Sequence, residues 1–313
     1  MLQNNDIKIK AVGLGGGGNN TINKMVEDGI SNVSFLNINT EEQMLNKSKT
    51  KNRMQIGKKI TRGLGAGANP EIGRRSALEN EDEIRRELIG NDLVFLTAGM
   101  GGGTGTGAIP VIAKISKELG ILTIAVVTKP FAFEGRQRMK KAIEGIEELK
   151  DHVDAMIVIL NDNLVKYSDN TMTVLNGFSI VDEINEQVIK GIIDIVTIPG
   201  DINIDFADVK TILKNKGRAY VGIATATGDN KIYNATKAAI SNPLTENKII
   251  GAKSVIINIK GSETLSLLEI NDGIELINKF IDEDANIIFG TIIDKTMGDE
   301  VEVTVLGTGV SEE

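Results

Sequence analysis

The sequence predicts an α/β protein, with a Rossmann-like domain built on a mostly parallel sheet, a long central helix, and a second, smaller α+β domain with a mixed sheet. In the first half, short apolar runs rich in β-branched residues alternate with helical patterns, which is typical of a parallel sheet covered by helices. A long helical pattern at 180–198 then ends at Pro199-Gly200, a strong stop signal. Beyond residue 217, strands and helices follow in an order that suits a mixed sheet.

The composition narrows the class of protein. With 313 residues, 41% of them apolar, the chain is long enough for about two domains with buried cores. Its 35 basic and 43 acidic residues give a net charge of −8, which disfavours nucleic acid as a partner. Without Cys and with one His, the chain excludes disulfide scaffolds, thiol catalysis and multi-histidine metal sites, so we name no metal-ligating residue. No apolar run approaches the roughly 18 residues of a membrane span, so we expect a soluble, cytoplasmic protein without direct membrane insertion.

The elements follow in order along the chain. In the first half we predict strands at 7–12, 33–37, 93–98, 122–128 and 155–160, and a helix at 136–150. In the second half we predict strands at 219–225, 254–260, 285–292 and 301–306, and helices at 231–241 and 271–281. Because ligands bind at the carboxyl ends of parallel strands, the loops after the early strands form the candidate site.

One stretch, 47–62, is rich in basic side chains and has two interpretations. We favour a solvated basic face over a contact with an acidic neighbour. The cations are Lys47, Lys49, Lys51, Arg53, Lys58, Lys59 and Arg62.

The first glycine loop, at 13–20, follows a strand and opens a helical pattern. Gly13, Gly15 and Gly18 match G-x-G-x-x-G, so a dinucleotide site is one interpretation. Such a site needs an acid at the end of the second strand to hold the ribose. That strand ends in Asn37 and Asn39, and the acids begin only at Glu41, which weakens the interpretation.

The second glycine loop, at 99–107, is the most informative segment. It has six glycines and two threonines between a strand and a helix. So many glycines weaken a fold unless the backbone must approach a ligand closely, and free N–H groups at a helix start favour a phosphate chain. A purely structural turn is the alternative.

A third cluster, at 63–70, precedes another helical pattern, and we expect it to share the phosphate-facing role. No Walker motif occurs.

These loops carry a family resemblance. The run Gly102-Gly103-Thr104-Gly105-Thr106-Gly107 resembles the signature loop of the tubulin/FtsZ superfamily, and its surroundings, AGMGGGTGTGAIPVIA, are similar to the bacterial FtsZ branch. The resemblance extends from about residue 8 to residue 309. It implies a GTP-binding domain at 1–178, a central helix with a catalytic loop at 179–216, and a C-terminal α+β domain at 217–313. It also implies a filament-forming GTPase of the division ring, at mid-cell on the inner face of the membrane.

The resemblance implies which loop residues hold the nucleotide. In the family the glycine loops wrap the phosphates of GTP or GDP, with Mg²⁺ bridging the phosphates and room for a monovalent cation. The matching residues are Gly16, Gly17, Gly18, Asn19, Asn20, Ala66, Gly67, Asn69, Gly102, Gly103, Thr104, Gly105, Thr106 and Gly107.

Four further residues are expected around the nucleoside. Glu134 and Arg138 are spaced like a helix-surface ion pair, but the resemblance implies that the Glu binds the ribose and the Arg lies against the nucleotide. Asn161 and Asp182, otherwise a turn residue and a solvated acid, match the base-recognition positions. A carboxylate can accept from the ring N–H and the amine of guanine together, so Asp182 is expected to select GTP over ATP. Glu183 is the alternative, about 100° around the helix.

The loop after the long helix provides the predicted catalytic residues. On sequence alone, Asp205 is a helix N-cap and Asp208 completes a loose capping box. The resemblance implies that both carboxylates, positioned by Asn203, act on the nucleotide of the next subunit in a head-to-tail filament. Carboxylates repel a triphosphate, so they suit the orientation of water better than nucleotide binding. Such a contact generates an open filament.

Some features depart from the family or leave alternatives open. Glu41 stands where the family usually has Asp, and Asp201 adds a charge beside the catalytic loop. Family members typically continue into a linker and a terminal peptide that binds division-ring adaptors and regulators, whereas this sequence stops at Glu313 and resembles the ordered core alone. The functional alternatives are a nucleotide-binding structural filament protein without turnover, a tubulin-like paralogue, and a nicotinamide-dependent oxidoreductase.

Overall fold

The structure, a computed structural model, describes residues 7–167 and 172–310, which form two compact units. The first unit is Ile7–Ile189, and the second begins at Lys190. The boundary falls inside a long helix, Val174–Thr197. No helix among the described residues is both long and apolar enough to cross a bilayer.

The first unit is built on a parallel sheet. Its strands are β1 (Ile9–Leu14), β2 (Ser34–Asn39), β3 (Arg53–Gln55), β4 (Leu93–Gly99), β5 (Leu122–Lys129) and β6 (Ala155–Leu160). They lie in the order β3-β2-β1-β4-β5-β6, and every neighbouring pair is parallel. This is the doubly wound order, in which the connections reverse direction between β1 and β4 and open a crevice at the carboxyl ends of those strands.

Helices cover both faces of this sheet. They are α1 (Gly15–Glu27), α2 (Glu42–Asn46), α3 (Lys58–Thr61), α4 (Pro70–Glu79), α5 (Glu81–Leu88), α6 (Thr104–Glu118), α7 (Arg136–Lys150), α8 (Asn161–Tyr167) and α9 (Val174–Thr197). Both β1 and β4 are buried along almost their whole length. Burial on both faces explains why these strands are continuous apolar runs rather than alternating ones.

Several elements differ from the sequence prediction; the helix predicted at 271–281, for example, begins at Leu267, and two differences, at β3 and α9, concern the first unit. β3 lies inside the basic stretch and was not predicted, because its three residues, Arg53–Gln55, contain no apolar run. α9 begins at Val174 rather than at residue 180. Its first turns carry Val174 and Leu175, which are 63% and 82% exposed, so this part of the helix has no buried stripe to detect.

The second unit is a smaller α+β structure. Its elements are α10 (Phe206–Leu213), β7 (Gly217–Ala226), α11 (Lys231–Ile240), β8 (Ser254–Gly261), α12 (Leu267–Asn278), β9 (Asn286–Ile293) and β10 (Val301–Thr308). β10 is antiparallel to both β7 and β8, while β8 and β9 are parallel. The core packs α11 and α12 against this sheet through Ile232, Ile277, Ile257 and Val303. The predicted fold class, a mostly parallel α/β domain and a mixed-sheet α+β domain, is confirmed.

Candidate functional site

A cavity of about 600 Å³ lies at the carboxyl ends of the strands in the first unit. Its wall is formed by the segments that follow β1, β2, β4, β5 and β6, together with one face of α9. The volume is in the range of small-molecule sites, roughly 300 to 1,000 Å³. Every lining residue belongs to the first unit.

The three glycine loops form one continuous part of this wall. Gly15 has a left-handed φ of 68°, and a Cβ at this position would lie 3.0 Å from the amide nitrogen of Gly105. A Cβ on Gly103 would lie 2.7 Å from the Cβ of Ala66. The second loop therefore contacts both the first and the third, and glycine permits this close approach of backbone to backbone.

Two helices begin at this wall without a side-chain cap. α1 starts at Gly15 behind Leu14, and α6 starts at Thr104 behind Gly103; neither N-cap residue bonds the helix through its side chain. The first N–H groups of a helix have no partner within the helix, and they carry the positive end of its dipole. Two uncapped helix starts beside glycine backbone suit a polyanion such as a phosphate chain.

The structure brings most of the predicted loop residues to the cavity. The residues that line it are Gly16, Gly17, Asn20, Ala66, Gly67, Gly102, Gly103, Thr104 and Gly105. Among these, the hydroxyl of Thr104 lies 2.6 Å from the hydroxyl of Thr40, so this side chain is held in place from the β2 side.

Five predicted loop residues do not line the cavity and instead support the loops. Asn19 is 2% exposed and donates to the carbonyl oxygens of Gly13 (2.8 Å) and Ile38 (3.2 Å), which ties the first loop to β2. The hydroxyl of Thr106 accepts from the amide of Gly101 at 2.8 Å and so braces the second loop.

The other three serve packing and capping. A Cβ on Gly18 would collide with the carbonyl oxygen of Thr97, and one on Gly107 with that of Pro70. The side chain of Asn69 caps α4 by accepting from the amide of Glu71 at 3.0 Å. The sequence pattern could not separate these supporting roles from ligand contact, because tertiary neighbours define them.

Glu134 and Arg138 both line the cavity and form the ion pair that their spacing predicts. Arg138 Nε lies 3.0 Å from Glu134 Oε2, and Glu134 Oε1 accepts from the amide of Phe131 at 3.0 Å. The Glu134 side chain is 11% exposed and that of Arg138 is 48% exposed. The pair is thus a cavity feature rather than a solvated helix surface.

At the opposite end, two buried amide side chains lack a partner for their oxygens. Asn161 is the first residue of α8 and is 4% exposed; Asn185 on α9 is 2% exposed and donates to the carbonyl oxygen of Val181 at 2.9 Å. Within the described residues, neither Oδ1 accepts a hydrogen bond, and both residues line the cavity. Buried acceptors are normally satisfied, so this end of the cavity suits a ligand with hydrogen-bond donors.

Asp182 lies on the same face of α9, one turn before Asn185, and lines the cavity. Burial raises the pKa of its carboxyl to about 7; a hydrogen bond from Thr21 lowers the pKa and the charge of Glu183 raises it further. Glu183, the alternative for base recognition, does not line the cavity and accepts from Ser179 Oγ at 3.4 Å. The geometry favours Asp182.

An aromatic cluster borders the same end. Phe131 stacks on Phe133 with ring centroids 4.9 Å apart, and Phe178 meets both rings edge-on, at 5.2 and 6.4 Å. Phe178 lines the cavity and is 38% exposed, which leaves ring surface for a planar ligand.

Sequence reasoning missed Phe178, Asn185 and Thr21. Phe178 and Asn185 are spaced four and three residues from Asp182, so helical periodicity around Asp182 could have found them. Thr21 had no comparable sequence signal, because α1 and α9 meet only in the folded unit.

The predicted catalytic loop belongs to the second unit. Asn203 Oδ1 accepts from the amide of Gly200 at 2.7 Å and closes a turn. Asp205 is the N-cap residue of α10, but its side chain makes no capping bond; its carbonyl oxygen accepts from the amide of Asp208 at 3.0 Å. Both carboxylates are exposed and have no partner in the part of the chain that the structure describes. Asp201 beside them is also exposed, and nothing in the structure explains its presence.

The described residues contain no group of three or more His, Cys, Asp or Glu side chains that could hold a metal ion by itself. Three carboxylates line the cavity: Glu41, Glu134 and Asp182. Of these, Glu41 lies beside the third glycine loop, where a Cβ on Gly65 would be 3.7 Å from its Oε2.

Comparison with known proteins identifies the family. The family model described as Tubulin/FtsZ family, GTPase domain matches residues 8–169, and that described as FtsZ family, C-terminal domain matches residues 217–311. A structure titled as an empty FtsZ dimer from M. jannaschii is 42% identical, with a TM-score of 0.90, over 97% of this chain and 88% of that one. A mutant FtsZ structure from the same organism is also 42% identical, with a TM-score of 0.92, over 99% and 93% of the two chains.

A more distant structure shares the fold. CetZ2 from Haloferax volcanii, titled as a GTPγS-bound protofilament, is 19% identical with a TM-score of 0.86, over 98% of this chain and 94% of that one. The predicted resemblance is confirmed: this chain belongs to the Tubulin/FtsZ family. The dinucleotide interpretation of the first loop is therefore set aside.

Proposed function

We propose that this member of the Tubulin/FtsZ family binds GTP in the cavity of its first unit and hydrolyses it when a second copy supplies the loop of Asn203, Asp205 and Asp208. The observation that carries this proposal is the division of the cavity wall. One end has glycine backbone and uncapped helix starts, and the other has buried acceptors beside an aromatic ring.

The phosphate chain occupies the glycine end. Backbone N–H groups of Gly16, Gly17, Gly103 and Gly105 and the Thr104 hydroxyl are the donors there. Glu41, a cavity carboxylate beside the third glycine loop, would hold Mg²⁺ together with the phosphates, and the ion would neutralise phosphate charge there. The residues fit this requirement, since Mg²⁺ is usually bound through one or two carboxylates. A monovalent cation near the phosphate oxygens is part of the proposal.

The guanosine occupies the other end. Asp182 as a carboxylate accepts from the ring N–H and the amine of guanine, while adenine has no such donor pair. The oxygens of Asn161 and Asn185 offer further acceptors, and Phe178 offers a surface for the base. Glu134, held by Arg138, faces the ribose, and Arg138 lies against the nucleotide.

Hydrolysis uses the borrowed loop. Asp205 and Asp208 are exposed and unpaired among the described residues, as expected of groups that act on a neighbour. They orient or deprotonate the attacking water, with Asn203 holding the turn. No residue of this loop lines the cavity of its own chain. A cavity on one unit and its complement on the other make a head-to-tail contact, which repeats into an open filament.

The proposed cellular role extends the self-association that the titles of two relatives name. The FtsZ structure of M. jannaschii is titled as a dimer, and that of CetZ2 as a protofilament. We propose the same self-association here, in a division ring at mid-cell on the cytoplasmic side of the membrane. The resemblance to bacterial proteins in particular stays a prediction, because the FtsZ structures compared are archaeal. In functional terms we assign nucleotide binding to 1–178, the helix and catalytic loop to 179–216, and support of that loop to 217–313.

The experiment measures phosphate release per subunit against protein concentration, with sedimentation in parallel. The proposal expects negligible turnover at high dilution and a rise above an assembly threshold. Asp208→Ala should bind GTP normally, abolish hydrolysis, and suppress turnover when mixed with the wild-type chain; Asp201→Ala, an exposed acid of the same loop, is the matched control.

Two results would change this assignment. Wild-type turnover that is independent of dilution contradicts the shared site. Filaments that form with GTP but release no phosphate favour the alternative, a structural filament protein without turnover.

A further inference from the structure

The loop that follows α9 is fastened to an edge strand of the second unit. β9 pairs with β8 on one side and carries an antiparallel bridge between Thr291 and Ile202 on the other. The amide of Thr291 donates to the carbonyl oxygen of Ile202 at 3.0 Å, and the amide of Ile202 donates to Thr291 Oγ1 at 3.3 Å. Thr291 therefore hydrogen-bonds both the amide and the carbonyl oxygen of Ile202.

The loop lies directly on this strand. A Cβ on Gly200 would collide with the carbonyl oxygen of Thr291, and one on Gly290 would lie 2.7 Å from the Ile204 side chain. Ile204 is 4% exposed, so its side chain is an anchor, whereas Ile202 is 49% exposed and depends on its backbone bonds. Packing holds the loop at Ile204, and Thr291 holds it at Ile202.

Both attachments lie just before the two carboxylates in the chain. Asp205 follows Ile204 directly and is the N-cap residue of α10, and its carbonyl oxygen accepts from the amide of Asp208. A chain held at 202 and 204 has few backbone torsions left with which to move the first turn of α10. A catalytic group on an exposed loop needs such support, because misplacement by about 1 Å can cost a hundredfold in rate.

We infer that Thr291 is a positioning residue for hydrolysis, whose amide and hydroxyl hold the 200–204 backbone so that Asp205 and Asp208 meet the neighbour's bound GTP in a productive geometry. Thr291 is 6% exposed and is not a cavity-lining residue, so it acts through the loop. This inference rests on the proposed function and adds the residue that orients the loop of Asp205 and Asp208.

The test compares Thr291→Val with Thr291→Ser in the full chain. Valine keeps the branched shape and the amide bond but removes the hydroxyl that accepts from Ile202; serine keeps the hydroxyl. We expect Thr291→Val to lower kcat about tenfold above the assembly threshold. KM, the pelleted fraction and the GDP affinity of the unassembled chain should stay within about twofold, because the cavity wall is unchanged. Thr291→Ser should restore most of the lost turnover.

Two further variants separate positioning from stability. Thr245→Val removes a comparable hydroxyl bond of the second unit, from Thr245 Oγ1 to the carbonyl oxygen of Asn247 at 3.2 Å, and should leave kcat unchanged. Gly200→Ala pushes the loop away from Thr291 without touching the threonine, and should lower kcat as Thr291→Val does.

The outcomes are distinct. The inference is overturned if Thr291→Val and Thr245→Val have the same kcat, if serine restores nothing, or if the pelleted fraction falls in step with kcat. A failure of the proposed function is read on the wild-type chain alone, as turnover that does not depend on protein concentration, and it removes the inference as well.

Discussion

The hydroxyl oxygen of Thr21 lies 3.5 Å from a carboxylate oxygen of Asp182 and thereby links α1 to α9. Thr21 is 1% exposed, and its single hydroxyl proton has a second acceptor within reach, the carbonyl oxygen of Gly17 in the first glycine loop at 3.4 Å. The Thr21 side chain thus lies between the first glycine loop and the Asp182 carboxyl. A single long bond from a neutral hydroxyl does little to offset burial of the Asp182 charge, which explains the raised pKa of its carboxyl.

Asp182→Asn should reduce the selectivity for guanine. The amide replaces one of two acceptor oxygens with a donor, which faces the donors of guanine. We expect GTP affinity to fall by about tenfold to a hundredfold, while ATP affinity changes little. Competition binding below the assembly threshold measures the ratio, and Glu183→Gln is the control. An unchanged GTP-to-ATP ratio in Asp182→Asn would remove Asp182 from base recognition.

GTP affinity should weaken as the pH falls through 7. In the free protein, burial holds the pKa of Asp182 at about 7, so the carboxyl is increasingly protonated below that pH. Guanine donors need the ionised form, so binding at pH 6 releases close to one proton and costs about tenfold in affinity per pH unit. Calorimetry in buffers of different ionisation enthalpy counts that proton. Asp182→Asn should abolish its release; equal proton release in both proteins contradicts the assignment.

The raised pKa of Asp182 also predicts how the free energy of unfolding depends on pH. The folded carboxyl keeps its proton up to about pH 7, whereas the unfolded one loses it near its ordinary value of 3.8. Between these pH values the folded protein therefore binds one proton more than the unfolded chain. As a result, the free energy of unfolding of the nucleotide-free protein falls as the pH rises from 4 to 7.

Asn185→Leu should move stability and binding in opposite directions. The substitution removes a buried oxygen that has no partner among the described residues, so without nucleotide the free energy of unfolding should rise by about 1 kcal/mol. GTP affinity should fall, because the ligand loses an acceptor. Denaturant unfolding and nucleotide titration measure the two effects.

Asn247 provides the control for that substitution. It is another buried asparagine whose Oδ1 has no partner in the described part of the chain, and it lies in the second unit. Asn247→Leu should affect stability alone. If Asn185→Leu leaves GTP affinity unchanged, Asn185 is a structural residue.

Two glycines should respond differently to alanine. Gly107→Ala drives a methyl group into the carbonyl oxygen of Pro70, where α4 meets α6, and overpacking of this kind costs about 1 to 3 kcal/mol. Gly16→Ala meets only the Met44 side chain at 3.9 Å, so stability should hold while nucleotide affinity falls because the methyl group narrows the cavity. Thermal unfolding with and without GDP distinguishes the two. Equal losses of stability would contradict the division between lining and supporting glycines.

Much of the fold was predictable because its signals are local. The strands at Leu93–Gly99 and Ala155–Leu160 are buried on both faces, and so they are apolar runs that any window detects. The glycine loops were identifiable because so many glycines in a short segment indicate that the backbone approaches another group closely. β3 and the first turns of α9 were missed, since neither has a buried pattern.

Sequence patterns were enough to predict the kind of site: glycine loops suited to phosphate after parallel strands, and an acid on a long helix. The tertiary structure defines which residues line the cavity and which support its loops. It assigned Asn19 and Thr106 to bracing the loops, and brought Asn185 and Phe178 to the cavity wall. It also raised the pKa of Asp182 and bound Ile202 to Thr291, 89 residues away. Local propensity depends on neighbours in the chain, whereas burial, charge environment and backbone bridges depend on segments that meet only after folding.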